Sequence, residues 1–267
     1  ALGELAVHGL VIFYRPKFQW ITTPRDAAPA IDPDLVRKHL DAGFDADLGW
    51  VRKPGTTGTE QTESGPQQFH IDARGCRKNP GYEGRPPVVA VFGDSYAFCR
   101  LAGDMETWPY YLSRATDTNV LNFGVGNYGL DQAILRLERE LPSLESEAII
   151  MVVVPETMAR IHSYWKHYYE YGNVLAFKPR FLNQDDGLRH VPPAVRSGLD
   201  YGTYAERLDE IQRLDSFYKR KFLRDVLAFP YLPKLVFRFR RHVPILWHLV
   251  IGSMSGHWDR GYRRAFD

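Results

Sequence analysis

Cysteine is nearly absent: Cys76 and Cys99 are the only two in 267 residues. Two cysteines give no disulfide framework, and their spacing matches no metal-binding pattern. Charge of one sign is also lacking. Lys and Arg total 34 against 32 Asp and Glu, so the balance of +2 offers nucleic acid no bulk electrostatic reason to bind. No run of about eighteen apolar residues occurs, so hydropathy marks no membrane-spanning helix. The apolar opening ALGELAVHGLVIFY lacks the basic flank and small-residue cleavage site of a signal peptide. Internal repeats and low-complexity tracts are missing too. What is present suits a globular chain: 44% hydrophobic residues can core one large α/β domain or two small ones. Aromatics at 13% fit carbohydrate contacts and equally a packed interior. The chain opens on Ala1 and stops at Asp267, and the expectation is that it is part of a longer product.

Texture changes along the chain. Residues 1–87 read as an irregular segment: Pro16, Pro24 and Pro29 break any long helix, and LGWVRKPGTTGTE and FHIDARGCRKNP point to short strands and turns. Alternation begins at residue 88. Val88–Phe92 reads as a strand and Glu106–Ala115 as a helix, with Thr107 as its cap and Pro109 in its first turn. Val120–Phe123 is strand-like, and Leu130, Ile134, Leu137 and Leu141 recur at helical spacing. Ala148–Val154 is a continuous apolar run that suits a buried strand. This order predicts an α/β core over 88–199, a parallel sheet with helices on its faces. Asp185-Asp186-Gly187-Leu188 marks a hairpin turn, and 200–267 reads as a helical insertion. Within it, 217–243 holds eight Lys and Arg against one acid, Asp225, interleaved with Phe222, Phe229, Tyr231, Phe237 and Phe239. That pattern makes it a candidate for membrane-surface contact, or an ordinary solvated helical insertion.

Two stretches carry chemistry. In VVAVFGDSYAFCR a buried strand stops at Gly93-Asp94-Ser95, so Ser95 falls where strand hands over to helix, beside N–H groups able to hold an oxyanion. An N-cap serine fits the same spacing. In VLNFGVGNYGLDQ, Gly124, Gly126 and Gly129 form a G-x-G-x-x-G between strand and helix, with Glu156 at the end of the next strand. A nicotinamide- or flavin-dependent oxidoreductase is one reading. It leaves Gly-Asp-Ser without a role and places its carboxylate late.

Taken together, GDS at 93–95 and NFGVGNYGLDQ at 122–132 resemble the SGNH (GDSL-type) hydrolase superfamily of bacteria, over roughly Leu48–Val191. LGWVRKP, IDARGCR and FKPRF…DDGLR share the likeness. The resemblance implies a three-layer α/β/α fold with a mainly parallel, flavodoxin-like sheet and a serine-dependent esterase or acyl-transferring activity, with acylated glycans as one substrate class. It implies Ser95 as nucleophile, and backbone N–H groups of Ser95 and Asn127 as oxyanion donors. Asn127 replaces the family's glycine, and asparagine tolerates the positive φ of that turn. No metal or cofactor is implied. The third block, which supplies an asparagine side chain, here reads Val154-Pro155-Glu156-Thr157, and an ionised Glu156 opposes a developing oxyanion. The terminal D-x-x-H is missing. Nine histidines are present and none follows an aspartate by three; His190 follows Asp186 by four, and His257 precedes Asp259. A serine without a base is a poor nucleophile, so the motif is expected beyond Asp267. His162 and His167, beside Trp165, are candidates for a sugar-lined cleft or for core aromatics. The third class of function is a catalytically silent module that binds glycan or membrane through 217–243.

Overall fold

The computed structural model describes residues 2–13, 28–62, 65–227 and 229–244. The chain is mixed α/β and divides into two compact units. The first gathers Ala1–Pro33, His162–Phe177 and Leu199–Asp267; the second holds Asp34–Ile161 and Lys178–Gly198.

The second unit carries the sheet. Helix Pro33–Gly43 leads into the short pair β1 (Phe44–Asp45) and β2 (Gly49–Trp50), then the antiparallel hairpin β3 (Thr57–Thr62) and β4 (Gly65–His70). Three parallel strands follow, β5 (Pro87–Phe92), β6 (Asn119–Asn122) and β7 (Ala148–Met151), in the order β6-β5-β7. Helix Trp108–Thr116 joins β5 to β6, and helix Leu130–Glu140 joins β6 to β7. The sequence pattern for β5, β6 and the two helices holds within a residue or two. Thr107 caps the first helix, its Oγ1 accepting from the Tyr110 N–H at 3.1 Å, with proline in the first turn.

Strand periodicity explains which helix covers which face. Ala90 and Phe92 pack with Leu121, Phe123 and Leu137, the last from helix Leu130–Glu140. Val91 points the other way, toward Ala97, Val120 and Leu112. Phe92 and Phe123 stack at 4.9 Å, each contributing about 2–3 kcal/mol by its burial.

Two expectations need correction. Residues 1–87 contain two helices, Leu2–Phe13 and Pro33–Gly43, as well as short strands. The stretch around residue 77 is also tied to the sheet, because the Arg77 N–H donates to the Asn122 carbonyl at 2.9 Å. The run Ala148–Val154 yields a strand only to Met151, and Ile149 is 43% exposed. Among the described residues β7 pairs with β5 on one side only, so an apolar run marked an outer strand rather than a buried one. The hairpin at 185–186 is present, joining β8 (Arg180–Gln184) to β9 (Gly187–Val191).

In the first unit, Trp165 stacks on Phe177 at 5.0 Å, and Tyr204 meets both rings. Asp215 is buried and accepts from the backbone N–H groups of Tyr164, Trp165 and Phe217. One carboxylate therefore knits residues 164–165 to 215–217. The basic-aromatic stretch 217–243 is not uniformly a surface element. Phe217, Tyr218, Lys221 and Phe222 are buried, and Lys221 pairs with Asp225 at 3.0 Å. His167 and Trp165 are likewise interior, not the lining of an open cleft. Burial lowers the His167 imidazole to about 4.

Candidate active site

β5 is the central strand, and its ladder runs to its last residue: the Val152 N–H donates to the Phe92 carbonyl at 2.8 Å. The chain then turns sharply. Gly93 adopts φ +154°, and a Cβ there would lie 2.9 Å from the Cβ atoms of Ala97 and Val152. A one-turn helix, Ser95–Phe98, starts at once. Its cap is Asp94, whose Oδ1 accepts from the Tyr96 N–H at 2.9 Å. Ser95 is therefore not the N-cap. It is the first helical residue, half-buried, and among the described residues nothing donates to or accepts from its hydroxyl.

The glycine-rich loop after β6 packs directly on this helix. A Cβ on Gly124 would sit 2.4 Å from the Phe98 nitrogen and 2.8 Å from the Ala97 carbonyl carbon. Only glycine lets the two backbones approach so closely. Asn122 locks the approach, its Nδ2 donating to the Ala97 carbonyl at 2.9 Å while its Oδ1 accepts from the Gly124 N–H at 3.0 Å. The Val125 N–H reaches the Gly93 carbonyl at 3.1 Å. Asn127 has φ +67°, the left-handed turn expected of it. Ser95 and Asn127 thus belong to two turns that leave the same edge of the sheet and are bonded together at their bases.

Farther out, the loop is held by residues 48–52. The Trp50 Nε1–H donates to the Gly126 carbonyl, and the Tyr128 hydroxyl donates to the Trp50 carbonyl at 2.6 Å. Burial raises the Tyr128 phenol above its ordinary value, so it stays a neutral donor. The Arg52 guanidinium lies over the Phe98 ring at 4.2 Å and pairs with Glu60 at 3.7 Å. Burial pulls its pKa down from the usual arginine value.

Glu156 is exposed, in the 3₁₀ stretch Pro155–His162. The side chain that does reach the Gly-Asp-Ser turn from this stretch is Arg160. Its Nη1 donates to Asp94 Oδ2 at 3.2 Å and to the Tyr128 carbonyl at 3.1 Å, bridging the serine turn and the glycine loop. Sequence reasoning missed Arg160, because no spacing rule links it to Asp94 across 66 residues.

His70 Nδ1 meets Asp104 Oδ2 at 2.7 Å, a histidine–aspartate contact invisible to a D-x-x-H search. Asp104 also takes Arg77 Nε at 2.9 Å, and Arg77 donates to the carbonyls of Phe98, Cys99 and Ala102. This network secures the far end of the serine helix. His190 lies on β9, its ring tilted against that of Phe181 at 5.3 Å. His257 and Asp259 lie outside the described residues.

At the start of helix Leu130–Glu140 the Gly129 N–H is bonded to Gln132 Oε1, and buried Asp131 pairs with Lys178 at 2.5 Å. A pyrophosphate placed there by the G-x-G-x-x-G reading meets a carboxylate. Among the described residues no group of three or more His, Cys, Asp or Glu is arranged to hold a metal ion. Compared with known proteins, the sequence matches no protein-family model and no curated protein.

Proposed function

We propose that the protein is a serine-dependent ester hydrolase or acyl-transferring enzyme of SGNH type, with a flavodoxin-like, three-layer core. The strand order β6-β5-β7 supports the fold reading, because it matches the 2-1-3 start of a flavodoxin-like sheet. Ligands of such sheets bind outside the carboxyl ends of the strands, and the serine turn leaves that edge. One observation carries the functional reading. Asp94 takes the capping duty, which leaves Ser95 half-buried with an untied hydroxyl on the one-turn helix against which the glycine loop packs.

In this mechanism the Ser95 Oγ attacks the ester carbonyl and the alcohol leaves. Water or a second alcohol then takes the acyl group from Ser95. The N–H groups of Ser95 and Asn127 hold the oxyanion. Arg160 fixes the spacing of their two turns through Asp94 and Tyr128, and no oxyanion role falls to Glu156. The proton acceptor is assigned to none of the described histidines. Acylated glycans are the proposed substrate class. A fluorophosphonate probe tests the reading: it should label the complete protein, and Ser95→Ala should abolish labelling. Undiminished labelling of Ser95→Ala, or none of the wild type, would refute it.

A further inference from the structure

Helix Leu2–Phe13 contains one charged residue, Glu4. Its carboxylate is occupied at the start of helix Tyr231–Phe237, where it accepts from the backbone N–H groups of Tyr231 and, at 2.8 Å, Leu232. The His8 ring stacks on Tyr231 at 5.9 Å and meets Phe229 edge-on at 6.0 Å. Two short helices more than two hundred residues apart in sequence are thereby fastened into a pair within the first unit. Val11 and Tyr231 are their buried residues.

The exposed side chains of this pair and of the residues flanking its second helix are unlike an ordinary protein surface. Leu2, Leu5, Phe13, Phe229, Phe237 and Phe239 are all exposed, from 55% at Phe239 to 86% at Phe237. Single exposed apolar residues are commonplace; a group on two packed helices and at the two ends of one of them marks an interaction surface. Its charge is one-sided. Residues 229–244 contain Lys234, Arg238, Arg240 and Arg241 and no acid, and Arg241 is held by Asp225. Arg240 is exposed, and so is Arg238, whose Nη1 donates to the Arg224 carbonyl at 3.3 Å.

We infer that this face binds the surface of an anionic lipid bilayer. The leucine and phenylalanine side chains would enter the boundary between headgroups and acyl chains, with Arg238 and Arg240 against the lipid anions. Charge selects this occupant. A second copy of the chain would bring the same guanidinium groups face to face, a like-charge juxtaposition that opposes pairing. The expected membrane contact thus narrows from 217–243 to the part after Phe229, joined by a helix from the other end of the sequence. The inference is independent of Ser95 chemistry. Among the described residues no helix is long and apolar enough to cross a membrane, and this surface does not require one.

The test is co-sedimentation of the full chain with vesicles of phosphatidylcholine alone and of phosphatidylcholine mixed with phosphatidylserine. The protein should pellet with the anionic vesicles and be released by added salt. Phe237→Asp combined with Phe239→Asp should abolish pelleting without shifting the thermal melt, since both side chains are exposed. Arg240→Ala should weaken binding about fivefold. Failure to pellet with anionic vesicles, or pelleting untouched by these substitutions, overturns the inference. So does a concentration-dependent dimer that Phe237→Asp dissociates while vesicles bind nothing, because the face then belongs to a second copy.

Discussion

Gly124 and Gly126 stand two residues apart in one loop, and the structure assigns them opposite tolerances. At Gly124 a methyl group would meet the Phe98 nitrogen at 2.4 Å and the Ala97 carbonyl carbon at 2.8 Å, both backbone atoms of the serine helix. Neither atom can rotate away, so the helix must move off the loop. That motion stretches the bond from Asn122 Nδ2 to the Ala97 carbonyl. Overpacking of this kind costs about 1–3 kcal/mol, and the weakened hydrogen bond about 1 more. For a chain of this size each kcal/mol is worth about 2–4 °C, so Gly124→Ala should lower Tm by roughly 5–15 °C. At Gly126 the nearest atom is Arg52 Nη2 at 3.5 Å, an ordinary contact at the end of a flexible side chain. Gly126→Ala should therefore melt within about 0.5 kcal/mol of wild type. Fluorophosphonate labelling should follow the same split, slowed at Gly124→Ala and unchanged at Gly126→Ala. A dinucleotide site makes the opposite demand, since its second glycine gives the pyrophosphate access to the backbone. Equal melting of Gly124→Ala and wild type would refute the close-approach argument. Nicotinamide binding lost in Gly126→Ala would restore the oxidoreductase reading.

Arg160→Ala should slow labelling of Ser95 by about tenfold or more and lower Tm, because Asp94 and the Tyr128 carbonyl lose their shared donor. Glu156→Gln, at an exposed position, should leave labelling unchanged, and an equal effect of the two would refute the role given to Arg160. His167 predicts a pH dependence. Its imidazole titrates near 4 in the fold, against about 6.5 in an unfolded chain, so the unfolded chain binds the extra proton between those values. Stability from this group is full above pH ~6.5 and declines as pH falls toward ~4, by ~3 kcal/mol in all. Urea melts across that range should show the loss in wild type and a flatter profile in His167→Gln; coincident profiles would refute the burial argument.

Several features were legible in the residues because their causes are local. Helix Trp108–Thr116 follows from a threonine cap and a proline in the first turn, both acting within three residues. The hairpin at Asp185-Asp186 and the left-handed turn at Asn127 follow from side-chain and backbone preferences at single positions. The parallel core was visible in alternating strand and helix periods. Tertiary packing alone decided the remainder. Ile149 is exposed because of where β7 stands in the sheet, and its own composition does not reveal that place. Phe222 and Phe237 share one basic-aromatic stretch, yet one is buried and the other faces out, since burial depends on what packs opposite. Arg160 reaches Asp94, and Glu4 caps Tyr231, across 66 and 227 residues. Such pairings form only when the fold brings distant segments together, so sequence spacing carried no trace of them.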